Sequence, residues 1–256
     1  MMRATIRYGR AGLRTQLCAA ILALAAASQN ALAQDKSAEP QSCANDAMIV
    51  FDASGSMGTT DRSLKVPRID GAKRAMGRVI PDVAHLRRLG LIVYGEGEYN
   101  DCNTIELRLK PTPDAAATLL GEVAKIDPRG RTPLTESVKQ AADVLDYKNR
   151  PGTIVLLTDG EETCGGDPCK VAAQLKKQAK DLTIHVIGYR HETEGYFTSR
   201  CMADVTGGEY VRATNEQELV EALRKTLGCP FVTELMPPRT MRVAARQSHP
   251  PSCAPK

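Results

Sequence analysis

The chemistry of this chain is concentrated where an apolar run breaks off. Ala47 to Phe51 (Ala-Met-Ile-Val-Phe) stops at Asp52-Ala53-Ser54-Gly55-Ser56-Met57. There, short oxygen-bearing side chains stand at alternate positions of a tight, glycine-containing turn, so a carboxylate and two hydroxyls converge. Carboxylate plus hydroxyl is a hard-oxygen donor set, suited to Mg2+ or Mn2+ and not to zinc. Two further segments supply matching oxygens: Thr132, in Arg131-Thr132-Pro133-Leu134-Thr135, and Asp159, in Thr158-Asp159-Gly160. Each stands at a helix start or just past an apolar run.

Other chemistries lack an anchor. Gly95-Glu96-Gly97 has no third glycine at nucleotide-loop spacing, and neither a P-loop nor a G-x-S-x-G elbow occurs. An aspartyl-phosphate enzyme would place a second acid two residues after Asp52, where this chain has Ser54. His185 lies mid-strand and reads as a packed residue. Glu161 and Glu162, with the segment from Glu96 to Asn103, read as a charged rim around the oxygens.

Alternating elements must carry these loops. Apolar runs at Ala47–Phe51, Leu89–Tyr94, Thr153–Leu157 and Thr183–Ile187 read as buried strands. Thr104–Leu109 alternates with period two, like a half-exposed edge strand, and Glu209–Arg212 is a short last one. Between them, Ile69, Ala72, Ala75, Met76, Val79 and Ile80 fall at helical spacing. So do Leu119, Leu120, Val123 and Ile126, and Leu134, Val138, Ala141, Ala142 and Leu145. Further helices are expected at Pro168–Ala179, Cys201–Val205 and Glu216–Leu227. Strands and helices in this order call for an α/β, doubly wound, mostly parallel sheet with helices on both faces. Ligands of such sheets bind beyond the carboxyl ends of the strands.

The 256 residues, 25% charged and 42% hydrophobic, are ordinary globular composition. Residues 1–33 read as a secretory signal peptide. Arg3, Arg7, Arg10 and Arg14 precede an apolar stretch from Leu17 to Ala27, and Ala31-Leu32-Ala33 forms a small-x-small cleavage site. The apolar stretch is shorter than the roughly 18–20 residues that a membrane span requires. Without those four arginines, the 34 Lys and Arg fall to 30 and balance the 30 Asp and Glu. A neutral chain with few aromatics argues against nucleic acid as a partner. The expectation is therefore an exported protein, periplasmic or secreted, with no membrane span. Residues 34–45 read as a flexible lead-in, 46–228 as the folded domain, and 229–256 as a disordered, proline-rich tail.

The three oxygen-bearing segments, in this order, resemble the von Willebrand factor type A domain. The stretch from Thr158-Asp159-Gly160-Glu161-Glu162-Thr163-Cys164 through Gly165-Gly166-Asp167-Pro168-Cys169 is similar to a bacterial secreted group that carries it. Val93-Tyr94-Gly95, Asp101-Cys102, His185-Val186-Ile187-Gly188 and Thr206-Gly207-Gly208 add to the likeness, which runs over residues 44–228. The resemblance implies a Rossmann-like sheet with one antiparallel edge strand and a metal-ion-dependent adhesion site. In that site Ser54, Ser56 and Thr132 offer hydroxyls to Mg2+, with Mn2+ or Ca2+ as alternatives, while Asp52 and Asp159 act largely through water. The implied role is a non-enzymatic adhesion or scaffold module whose protein partner presents an Asp or Glu to the cation. A metal-dependent hydrolase or phosphatase, and a regulatory component of a channel-like or chelatase-like assembly, are the competing readings.

Export makes the cysteines disulfide candidates. Placed on the scaffold that the resemblance implies, Cys43 and Cys229 lie at the edge opposite the metal. Their pairing would tie the ends of the domain together, contributing about 3–5 kcal/mol. Cys102, Cys164, Cys169 and Cys201 lie on the metal edge, with Cys102 toward one side and Cys201 toward the other. Cys102–Cys164 and Cys169–Cys201 are the expected pairs, with a local Cys164–Cys169 loop as the alternative and Cys253 left over.

Overall fold

A strand buried on both faces has to run through the middle of a sheet, and β1 (Asp46–Asp52) is buried at every position. The computed structural model describes residues 45–60, 65–190 and 198–229. The expected leader, nearly all of the 34–45 segment, the tail from residue 230, Cys43 and Cys253 lie outside the described residues.

After β1 come a short 3-10 turn (Gly55–Gly58), α1 (Arg68–Val83), β2 (Leu89–Tyr94) and β3 (Ile105–Thr112). The chain continues with α2 (Ala116–Lys125), α3 (Leu134–Val144), β4 (Pro151–Thr158) and α4 (Pro168–Gln178). It closes with β5 (Asp181–Tyr189), α5 (Arg200–Thr206), β6 (Tyr210–Ala213) and α6 (Glu216–Leu227). The six strands form one sheet in the order β3-β2-β1-β4-β5-β6. All neighbours are parallel except β2 and β3, so the fold is the expected doubly wound α/β sheet with one antiparallel edge strand. β3 runs three residues beyond the expected alternation. Pro111, which cannot donate to a ladder, is tolerated there because the strand is an edge.

The two-residue period of the strands splits the core into two layers. Ala47, Ile49 and Phe51 of β1 pack with Leu91, Val155 and Ile187 beneath α1, α2 and α6. Met48 and Val50 pack with Ile92, Leu156 and Ile184 beneath α3, α4 and α5. Asp52 and Tyr94 fall in register at the ends of β1 and β2. Every helix is amphipathic toward one layer; α1, for example, buries Ile69, Ala72, Ala75, Met76, Val79, Ile80 and Val83. Among the described residues, no helix is long and apolar enough to cross a membrane.

Candidate metal centre

Where β1 ends, the chain turns at once into the 3-10 turn, and Met57, wholly buried, pins that turn to the core. Ser54 bridges in parallel to Gly130, and the Gly55 N–H donates to the Gly130 carbonyl at 2.9 Å. The loop carrying Thr132 is thereby sewn to the loop carrying the serines. A third segment closes on both at Gly95, whose φ of +88° suits glycine. A Cβ there would stand 2.6 Å from Ser54 N and 2.8 Å from the Arg131 carbonyl oxygen, so only a bare backbone fits.

The oxygens gather on this frame. Asp52 is fully buried; its Oδ1 accepts the Ser54 N–H at 2.7 Å and its Oδ2 the Thr158 hydroxyl at 2.6 Å. Ser56 Oγ lies 3.1 Å from Ser54 Oγ and donates to Asp159 Oδ1 at 2.6 Å. A continuous polar chain therefore runs from one serine to the next and on to the carboxylate 103 residues away. Thr132, 5% exposed, is held by its backbone: its N–H donates to Thr163 Oγ1 at 2.8 Å and its carbonyl accepts the Thr163 N–H at 3.2 Å. Asp52, Ser54, Ser56 and Asp159 are thus linked directly or through one hydroxyl, and Thr132 reaches them through the Gly130 bridge.

The electrostatics favour a cation. Burial, followed by the charge of Asp159, pushes the Asp52 carboxyl up to about 6, against the hydrogen bonds from Ser54 and Thr158. Burial also raises Asp159, opposed by Ser56 and Arg68. Two carboxylates sharing a buried site are stabilised by any positive charge placed between them. The Tyr94 hydroxyl, pushed well above its ordinary range by burial and then by Asp52, is buried without a hydrogen-bond partner among the described residues. The donors are hard oxygens throughout, and no cluster of three His, Cys, Asp or Glu occurs among the described residues. A divalent ion bound by two acids and three hydroxyls fits these residues; a carboxylate cage does not.

The sequence reading missed one partner. Arg68, the first residue of α1, reaches Asp159 with Nη1 2.9 Å from Oδ2. Nothing in the sequence marks it, because the pair is 91 residues apart. Three acids of the expected rim are instead bonded to the fold. Glu162 turns inward, accepting the Thr135 N–H and hydroxyl at 2.7 and 2.8 Å and the Cys164 N–H at 2.6 Å, so it joins the start of α3 to its own loop. Glu161 accepts the Thr198 N–H at 3.1 Å and bonds the Thr198 hydroxyl, and Glu96 accepts the Asp127 N–H at 2.7 Å and pairs with Arg108. Glu98, Tyr99, Asn100 and Asn103 remain outward on the 96–103 segment, Tyr99 being 78% exposed. His185 sits in β5, its Nδ1 accepting the Glu209 N–H at 3.1 Å, and burial lowers its pKa.

Disulfides brace this edge. Cys102 bonds Cys164 and Cys169 bonds Cys201, so the loop after β4 is fastened on both sides, and the local Cys164–Cys169 pairing does not form. Cys229 is also disulfide-bonded, while its expected partner Cys43 lies outside the described residues. Within the braced loop a Cβ on Gly166 would overlap the Thr135 hydroxyl at 1.8 Å, so the loop rests directly on α3.

Known proteins share this architecture. YwmC of Bacillus subtilis strain 168, an uncharacterized protein, is 29% identical over 199 residues, covering 74% of this chain and 86% of that one. The PilB minor pilin of Streptococcus sanguinis superposes with a TM-score of 0.55 at 16% identity, over 74% of this chain and 63% of that one. Proximal thread matrix protein 1 of the mussel byssus, solved with a zinc-occupied metal-ion-dependent adhesion site, gives 0.52 at 18% identity, over 73% and 46%. At these identities the two structures speak for the fold alone. Residues 47–162 match the family described as von Willebrand factor type A domain, a stretch that includes Asp52, Ser54, Ser56, Thr132 and Asp159. Over residues 47–162 the chain is thus similar to the von Willebrand factor type A domain.

Proposed function

We propose that this chain is an exported, non-enzymatic module that binds a protein partner through a divalent cation, the partner's Asp or Glu completing the coordination. The observation that carries the reading is the chain of contacts from Ser54 through Ser56 to Asp159 at the carboxyl edge of the sheet, with Asp52 buried behind it. Ser54, Ser56 and Thr132 would hold the cation by their hydroxyls, and Asp52 and Asp159 would hold it largely through water. The bound cation supplies a positive centre with a coordination position open to an outside oxygen. The chain's own contribution is to fix the hydroxyls: the Gly130 bridge, the Gly95 contact and the Cys102–Cys164 staple keep three loops in register.

The likeness of fold to a minor pilin and a thread matrix protein supports a binding module. So does the inward commitment of Glu161, Glu162 and Glu96, which leaves these acids bonded to the fold instead of facing a substrate. Mg2+ and Mn2+ suit the donors, and the zinc held by the byssus protein adds Zn2+ to the cations worth testing. The leader and the disulfides support export. Affinity capture from the exported fraction, with and without chelator, tests the reading. A partner retained only with divalent cation, and lost with Asp52→Ala at unchanged circular dichroism, supports it. Retention indifferent to chelator, or turnover of a phosphate ester by the loaded protein, overturns it.

A further inference from the structure

A buried tyrosine must find a partner for its hydroxyl, and Tyr94, Tyr147 and Tyr189 are all buried. Tyr147 donates to Gln178 Oε1 at 2.9 Å, and the Tyr189 hydroxyl accepts from Arg190 Nε at 3.1 Å. The Tyr94 hydroxyl has no hydrogen-bond partner among the described residues, although Tyr94 is wholly buried. Such a group costs the fold free energy unless something besides the chain's own side chains bonds it.

The sheet sets where this hydroxyl stands. Tyr94 ends β2 in register with Asp52, the last residue of β1, so the two side chains share a face. The Tyr94 carbonyl accepts the Ala53 N–H at 2.8 Å, and its ring lies in the core layer of Met48, Val50, Leu134 and Val138. Backbone and ring are therefore both fixed, and the hydroxyl cannot swing to another partner. Asp52 and Thr158 are its polar neighbours, and they are taken up with each other, the Thr158 hydroxyl donating to Asp52 Oδ2 at 2.6 Å. Asp52 Oδ1 accepts the Ser54 N–H at 2.7 Å. A carboxylate accepts about four hydrogen bonds, so Asp52 keeps lone pairs beside a phenol that it does not bond. An oxygen that bonds both would satisfy the phenol and the acid together.

We propose that Tyr94 is a positioning residue of the cation site, its hydroxyl bonding the water through which Asp52 holds the divalent ion. The inference rests on the divalent-cation reading above and adds to it a residue that never touches the ion. A water held by Asp52 alone turns about a single bond. A second bond, to a phenol locked in the core, fixes its orientation, and partners of this kind strengthen a metal site. The phenol can give or take a hydrogen bond and is neutral, so it orients without adding charge. Without the cation the hydroxyl burdens the fold; with it, the same hydroxyl becomes a bond. Tyr94 thereby links cation binding to stability.

The test is Tyr94→Phe in the full chain, which deletes one oxygen and keeps the ring. In chelator the variant melts at or above wild type. Calorimetric titration with Mg2+ and with Mn2+ gives binding about tenfold weaker than wild type, the lower end for loss of an outer-shell partner. Mg2+ correspondingly raises the variant's melting temperature less. In wild type, Mg2+ also produces a near-ultraviolet tyrosine difference spectrum that Tyr94→Phe lacks, a signature that a packing role would not give. Cation affinity in Tyr94→Phe equal to that of wild type overturns the inference while leaving the cation reading intact. So does a difference spectrum that survives the substitution or is absent from wild type. A variant that loses as much melting temperature in chelator as in Mg2+, or that fails to fold in either, makes the hydroxyl merely structural and overturns it as well. Absence of binding by wild type and variant alike overturns both readings.

Discussion

The two ends of β1 carry the same residue type in opposite surroundings. Asp46, at the start, faces Arg150 at 3.1 Å and Arg88 at 3.6 Å. Arg87 lies close behind, bonded to the Asn45 carbonyl and to Thr153 Oγ1; burial draws its guanidinium down to about 10, against the pull of Asp46. Asp52, at the end, meets hydroxyls, an amide and a second aspartate. At one edge the chain supplies the cations its acid needs. At the other it supplies neutral donors and more negative charge, with Arg68 as partial relief. On the reading proposed above, a buried acid left short of positive charge marks the edge that takes a cation, while the arginine-rich edge closes the fold.

The contrast can be broken or sharpened by substitution. The largest effect is expected from the staples that tie the edge at Asp52 covalently, Cys102–Cys164 and Cys169–Cys201. Replacing Cys102 and Cys164 together by Ser removes a bond closing 62 residues and lowers unfolding free energy by about 4 kcal/mol in the chain-entropy account, read by denaturant melts. Next, Asp52→Asn weakens Mg2+ binding about 10–100-fold, the range for a residue that acts on a metal through its outer shell. In chelator the same variant melts no lower than wild type, because one of two repelling carboxylates is gone. A lower melt would erase the difference between the strand ends.

Asp46→Asn is the matching change at the other edge. It costs about 1 kcal/mol, since Arg88 and Arg150 are half exposed and their pairs are screened. Its Mg2+ isotherm stays that of wild type, and high salt shrinks the loss. The smallest effect on folding belongs to Tyr99→Ala, under about 0.5 kcal/mol for so exposed a side chain. Partner retention on an affinity column nevertheless falls, because an exposed aromatic beside a charged centre is the kind of residue that anchors an interface.

Much of this was legible in the order of residues. The apolar run that breaks at Asp52 announces a buried strand with a polar end, and two such strands plus a Thr-Pro-Leu turn place Ser54, Ser56, Thr132 and Asp159 on one edge of a doubly wound sheet. The same strand order separates Cys102 from Cys201 and brings each beside one end of the Cys164–Cys169 segment, where the structure has its bonds. What escaped notice is tertiary. Arg68 reads as an ordinary surface charge at a helix start until α1 is laid against the loop of Asp159. Glu162 reads as rim because its use, accepting the first amides of α3, depends on two loops meeting at Gly166. β3 outruns its alternation because an edge strand pays little attention to a missing N–H at Pro111.

The pair of staples also governs what a protease can release. A cut between Cys102 and Cys164 leaves fragments joined by the first bond, and one between Cys169 and Cys201 leaves them joined by the second. Between Cys102 and Cys201 only a nick inside Gly165-Gly166-Asp167-Pro168 escapes both, and three of these four residues are glycine or proline, poor fare for most digestive specificities. Over the span from Cys102 to Cys201 the two bonds turn most single nicks into wounds that do not shed a fragment.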